Sequence, residues 1–153
     1  MYKRQVEGQI FWRPLDWALV RAGYTLMDTH VDSEAIPDLE QLPNEPEHTV
    51  DLELRLRGHR LSRFLGEPEL STVARFRGPA LRETSGTGLA GFTSTEHTSS
   101  SWVVDMRFEL PIAEVVTFNF DVRNLTDEMT VDSYEIRGRT FFAGLRYRWP
   151  HDF

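Results

Sequence analysis

Along most of the chain, apolar and polar residues alternate with a period of two. The clearest run is 49–57, where Val50, Leu52, Leu54 and Leu56 alternate with Asp51, Glu53, Arg55 and Arg57. Apolar positions two apart suit a strand, whose side chains point to opposite faces in turn, and fit a helix poorly. Run 101–110 sets Trp102, Val104, Met106, Phe108 and Leu110 against Asp105, Arg107 and Glu109. Run 115–123 sets Val116, Phe118, Phe120 and Val122 against Thr117, Asn119, Asp121 and Arg123. Run 140–149 places Phe141, Ala143, Leu145, Tyr147 and Trp149 on one face, with Thr140, Phe142, Gly144, Arg146 and Arg148 on the other. Weaker runs at 6–13, 17–27 and 69–77 bring the predicted strands to about seven.

The connections alternate as well. Pro14-Leu15-Asp16 and Pro111-Ile112-Ala113 read as tight turns, and 58–68 as a medium connection. Residues 28–47 are acidic and carry Pro37, Pro43 and Pro46, so a long loop is predicted there. A second long loop, 78–99, is rich in Gly, Ser and Thr, and a polar loop follows Arg123. Long loops gathered at one end are the mark of an up-and-down membrane barrel. The predicted fold is therefore all-β: an antiparallel up-and-down meander of about seven strands, part of a transmembrane β-barrel. An odd number of such strands leaves the first and last parallel, so the sheet is expected to be incomplete, with two open edges.

Energetics assign the two faces. An Arg on the lipid side near the midplane costs about 2–4 kcal/mol. The face bearing Arg55, Arg57, Arg75, Arg77, Arg107, Arg123, Arg146 and Arg148 is then expected to line a water-filled or plugged lumen. Trp102, Phe108, Phe118, Phe120, Phe141 and Leu145 would face lipid, with Tyr147 and Trp149 at an interfacial girdle. The same alternation serves a soluble antiparallel sandwich or small barrel, whose apolar face covers a core. Both that ligand-binding module and a small stand-alone outer-membrane barrel are open alternatives.

Composition narrows the classes. The chain has 153 residues, a net charge of −7 and no cysteine, and its mean hydropathy is −0.42. The negative charge argues against nucleic-acid partners, and the lack of thiols removes disulfide and thiolate chemistry. No apolar run approaches the roughly 18 residues of a spanning helix, which leaves strands as the only way across a membrane. The first residues, Met1 to Glu7, lack the apolar segment of a signal peptide, so the sequence is expected to begin inside a longer chain.

Candidate chemistry is sparse. His30, His48, His59, His97 and His151 fall in predicted loops, a turn and the tail, without metal-ligand spacing. Ser71 and Ser99 to Ser101 lack a nucleophile-elbow context, and Gly86-Thr87-Gly88 is not followed by the Gly-Lys-Ser/Thr of a phosphate cradle. No catalytic residue, cofactor or metal site is expected, and the chain reads as a non-enzyme. Asn124 is predicted to bond its own backbone and shape the corner after Arg123, and Gly138 to supply a permissive backbone before the last strand.

Three pieces carry a resemblance: NLTDE from Asn124, SYEIRGRTF from Ser133 and GLRYRW from Gly144. In this order they resemble the end of a TonB-dependent outer-membrane receptor. Looser matches are VEG from Val6, RPLDW from Arg13 and LPNEPEH from Leu42. The resemblance implies that residues 1–153 are the C-terminal part of a receptor barrel of about 22 strands, without its plug and signal peptide. It implies active uptake of a siderophore-like or other scarce nutrient across the cell outer membrane. The implied partners are the remaining barrel strands and plug, outer-membrane lipid, the barrel-assembly machinery through the C-terminal strand, and TonB through the N-terminal part. Ligand contacts in such receptors come from plug and long loops, here 28–47 and 79–98, with no single residue assigned. The chain departs from the family in the tail Pro150-His151-Asp152-Phe153 after Trp149.

Overall fold

The structure, a computed structural model, describes residues 2–30, 45–59, 62, 65–85, 93–112, 115–131, 134–135 and 138–149. Its strands are β1 (Tyr2–Leu15), β2 (Ala18–His30), β3 (His48–Arg57), β4 (Glu69–Arg77), β5 (Leu81–Ser85), β6 (Thr93–His97), β7 (Ser101–Ile112), β8 (Val116–Arg123), β9 (Thr130–Val131), β10 (Tyr134–Glu135) and β11 (Thr140–Tyr147). No helix occurs among the described residues. One seven-stranded sheet has the order β1-β2-β3-β4-β7-β8-β11, with every neighbouring pair antiparallel. The all-β meander is therefore present, and the sheet is open, with β1 and β11 as edges running the same way. Leu15 and Ala18, Arg57 and Glu69, and Ile112 and Val116 close their strand pairs at one end of the sheet, the turn end. The ends of β2 and β3 at His30 and His48, of β4 and β7 at Arg77 and Ser101, and of β8 and β11 at Arg123 and Thr140 stand at the other, the loop end.

Register keeps the two faces separate across every strand. Val20 lies opposite Leu54, Leu54 opposite Thr72, Thr72 opposite Met106, Met106 opposite Val122, and Val122 opposite Phe141. A slip of one residue along the paired strands would mix the faces, and the one register shift among the described residues of the sheet, between Trp12 and Leu15, falls at the end of edge strand β1. Among the described side chains, the ionisable ones on the apolar face, Arg4, Asp28 and His48, all stand toward the loop end of β1, β2 and β3. No second layer covers this face among the described residues: neither the β5–β6 nor the β9–β10 ribbon packs across the sheet. Among the described residues, buried apolar side chains are confined to Ala18, Ala80, Leu81 and Val122, while central Leu52 and Leu54 each stay 39% exposed. This is a single-layer sheet without a core, unlike the sandwich that the same alternation permits.

The strands are staggered in one direction. A single row joins Leu15, Ala18, Leu56, Leu70, Phe108, Phe120 and Ala143. From that row β1 runs only toward the loop end, whereas β11 continues past it to Tyr147 at the turn end. Strand midpoints drift by roughly one residue per strand, about 3.3 Å of rise for each 4.8 Å or so of separation. Such a stagger corresponds to strands tilted by roughly 35–40° to a barrel axis. Along that axis, the level of Trp102 and the level of Trp149 are about 25 Å apart.

Several sequence expectations need correction. The first turn falls at Asp16 and Trp17, and β1 continues through Pro14 to Leu15. Pro14 is tolerated because β1 is an edge strand and its pairing shifts between Trp12 and Leu15. Pro111 and Ile112 belong to β7 rather than to a turn, paired with Thr117 and Val116. The Pro111 carbonyl also accepts from Gly66 N at 2.8 Å, and that approach leaves no room for a Cβ at Gly66. The expected loop 78–99 contains the β5–β6 ribbon, and the loop after Arg123 contains β9–β10. His30, His48 and His97 lie within strands rather than loops, while His151 is outside the described residues.

Candidate functional site: an arginine-faced surface and its corner

On the charged face, register sets acids and arginines on neighbouring strands. Arg21 on β2 meets Glu53 on β3 at 3.9 Å, and Arg55 reaches Glu53 at 2.9 Å and Glu69 on β4 at 3.6 Å. Arg57 also reaches Glu69, at 3.7 Å. Arg75 on β4 meets Asp105 on β7 at 3.4 Å, and Arg107 on β7 donates from Nε to Asp121 on β8. Arg146 on β11 meets Glu109 on β7 at 3.5 Å, a pair that crosses β8. These contacts tie β2 through β11 together from one side, which a sheet without a core requires more than a sandwich does.

The pairs are asymmetric. Side-chain exposures run from 45% to 62% for the arginines and from 21% to 32% for their carboxylates. The short acids sit near the sheet floor, and the longer arginines reach over them. A molecule approaching this face therefore meets guanidinium groups first. Arg21 and one further arginine, Arg123, cover aromatic residues of this face. Arg21 lies 5.4 Å over the Phe11 ring and Arg123 lies 5.0 Å over the Phe142 ring, within cation–π range.

Small residues open two hollows on the same face. One, of about 340 Å³, centres on Gly23 and is edged by Glu7, Gln9, Arg21, Asp51 and Glu53. The other, of about 410 Å³, has Ser71 and Val73 beside Arg75, Arg107, Arg123, Asp105 and Asp121.

The corner after β8 is built from the residues that the sequence singles out. Asn124 and Asp127 take positive φ values of 54° and 59°, a conformation these residue types tolerate better than most. Asn124 Oδ1 accepts from Glu128 N at 2.9 Å, and its Nδ2 donates to Glu128 O at 2.6 Å. Asn124 thus shapes the corner as expected, through the backbone of Glu128 four residues on rather than through its own. The corner also latches onto β7: Leu125 N donates to Val104 O at 2.7 Å, Thr126 Oγ1 to Trp102 O at 2.7 Å, and Asn124 N to Asp105 Oδ1 at 2.9 Å. Those bonds occupy the part of β7 that extends beyond the end of β8. Arg139 N donates to Asp127 Oδ1 at 2.8 Å, drawing the start of β11 back to the corner. Gly138 serves here through space rather than through an unusual backbone. A Cβ there would lie 3.1 Å from Asp127 Oδ1 and 3.2 Å from Met129 Sδ.

Other candidates come out separately. His48 bonds Tyr24 Oη through Nδ1 at 2.8 Å on the apolar side, and no group of acids and histidines among the described residues could hold a metal ion. The loops expected to touch a ligand lie largely outside the described residues, at 31–44 and 86–92. Alternation alone revealed which residues share the charged face. The exposure asymmetry and the hollows were not readable, because they depend on which strands become neighbours. No protein-family model matches the chain, and no curated protein matches it significantly.

Proposed function

We propose that this chain forms part of the wall of a transmembrane β-barrel in the cell outer membrane. The barrel is of the TonB-dependent receptor type, engaged in uptake of a siderophore-like or other scarce nutrient. The uncovered apolar face carries the reading. It extends over all seven strands of the sheet, and its ionisable positions are confined to the loop end. In water such a face would be a large exposed patch, whereas in hydrocarbon it is solvated.

Three further features agree with lipid on that side. The stagger matches the tilt of membrane barrels. Tyr24, Phe76 and Trp102 fall on one cross-strand row toward the loop end, while Trp12, Tyr147 and Trp149 stand toward the turn end. The spacing of about 25 Å between the levels of Trp102 and Trp149 is that of an apolar band with an aromatic girdle on each side. The charged face then looks into a lumen, where mixed signs are tolerated.

The partners that follow are outer-membrane lipid, further strands on the β1 and β11 edges, a plug, and the assembly machinery through β11. An odd number of added strands allows antiparallel closure. The receptor assignment rests on the NLTDE, SYEIRGRTF and GLRYRW segments. It is tested by the coding sequence upstream of Met1. An open frame encoding roughly fifteen more alternating strands and a plug would support it. A promoter and stop codon there would overturn it. The membrane assignment has its own test, folding into vesicles of brominated-chain lipid. Strong quenching of tryptophan fluorescence is expected, and fluorescence unchanged from ordinary lipid would refute it.

A further inference from the structure

From the hollow edged by β4, β7 and β8, we infer a binding site for a small anion bearing two or more carboxylate or phosphate groups. The inference rests on the charged face being the water-facing side of the sheet. Arg75, Arg107 and Arg123 come from these three strands and line a hollow of about 410 Å³, a volume within the range of small-molecule sites. Ser71 and Val73 between them are too short to fill it.

The donors are held in place before any ligand arrives. Asp105 anchors Arg75 at 3.4 Å, and Asp121 anchors Arg107 through Nε. A guanidinium has five N–H donors in a planar fork, and one carboxylate contact engages only part of it. The side chains of Arg75 and Arg107 are 51% and 53% exposed, those of Asp105 and Asp121 only 32% and 21%. Acceptors entering the hollow therefore meet the arginines ahead of the acids.

Arg123 differs from the other two. Among the described residues no carboxylate pairs with it, and its guanidinium carbon lies 5.0 Å from the centre of the Phe142 ring. Its planar N–H fork is therefore engaged by no carboxylate among the described residues and suits a bidentate oxyanion. By register Arg75, Arg123 and Arg107 stand on successive levels of the face, about 6.6 Å apart along the strands. That spacing favours a ligand with several anionic groups over a single small ion. Arg77 continues the series toward the loop end, and Arg57 and Arg146 continue it toward the turn end. The hollow is thus one landing on a stair of arginines between the two ends.

The test is calorimetric titration of the whole chain, folded in detergent micelles, with citrate and with pyrophosphate. Saturable one-to-one binding of at least one probe is expected, weakening as salt rises from about 0.01 M to about 0.15 M. Citrate alone would mark a carboxylate ligand, pyrophosphate alone a phosphate ligand, and both the shared chemistry. Arg123→Gln should weaken binding by about tenfold or more, since it removes a charged hydrogen-bonding partner. This variant orphans no carboxylate, and unchanged strand content by circular dichroism checks its fold. Arg107→Lys, which keeps the charge and loses the fork, should weaken binding too. Arg139→Gln, at the corner, should leave it unchanged. Absence of heat with both probes, or equal affinity in wild type and Arg123→Gln, overturns the inference. Quenching in brominated lipid without anion binding would remove this site and leave the membrane reading intact. Anion binding without quenching would do the reverse.

Discussion

Across the seven strands, the apolar and charged faces are stabilised in different ways. On the apolar side, Leu52 and Leu54 are central yet 39% exposed, and nothing among the described residues packs over them. On the charged side, ion pairs run from Arg21 to Arg146 and tie six strands together. In a water-soluble protein the apolar side would supply most of the stability by burial. Here that contribution is missing until something apolar covers the face. The sheet's stability therefore depends on its solvent, while its register is pinned by backbone pairing, the corner and the charges.

The largest effect is expected when a charge is placed on the apolar face. Leu54→Arg places a guanidinium on the apolar face between the aromatic levels. It should cost about 2–4 kcal/mol in chemical unfolding from lipid vesicles. Val73→Arg is the counterpart on the charged face, opposite Glu53 and Asp105. It should change stability by less than about 1 kcal/mol in the same assay. Similar losses for the two variants would mean that the faces share one environment.

A somewhat smaller effect is expected at the corner. Asn124→Ala deletes both side-chain bonds to the Glu128 backbone and forces Ala into a positive φ. The combined loss is about 2–3 kcal/mol, measurable by the same unfolding assay. Asn124→Gly removes the bonds and tolerates the φ, so it should lose about 1–2 kcal/mol. The order Ala worse than Gly is the informative result, since a purely side-chain role would make the two equal.

The smallest effect is expected from a single ion pair. Asp121→Asn removes the partner of an arginine that is 53% exposed, and exposed pairs contribute about 1 kcal/mol or less. The deficit should shrink further in high salt, where screening weakens the native pair. A loss as large as that of Leu54→Arg would show the ion pairs, rather than the apolar face, to dominate stability.

Much of this fold was legible in the sequence because alternation reports directly on a sheet with unlike sides. The runs 49–57 and 101–110 gave both the strands and their faces. The corner was legible because Asn tolerates positive φ and bonds nearby backbone, and Asn124 does both. The β5–β6 ribbon was not, since Leu81–Ser85 and Thr93–His97 lack an alternating apolar row. Pro14 was misread as a turn because local chemistry cannot tell that β1 would be an edge. The stagger, the exposed arginines and the hollow around Ser71 arise from the pairing register between neighbouring strands. They became visible only when the register was known.

Because the sequence contains no cysteine, single cysteines can be introduced without a background. The most direct measurement places them in turn at Leu52, Glu53, Leu54, Arg55, Met106 and Arg107, labels them with a nitroxide, and records accessibility in lipid vesicles. The expected result is a period of two. Labels at Leu52, Leu54 and Met106 should meet oxygen dissolved in the bilayer, and labels at Glu53, Arg55 and Arg107 a water-soluble nickel reagent. Equal access of the nickel reagent to both sets would show water on both faces and contradict the barrel wall.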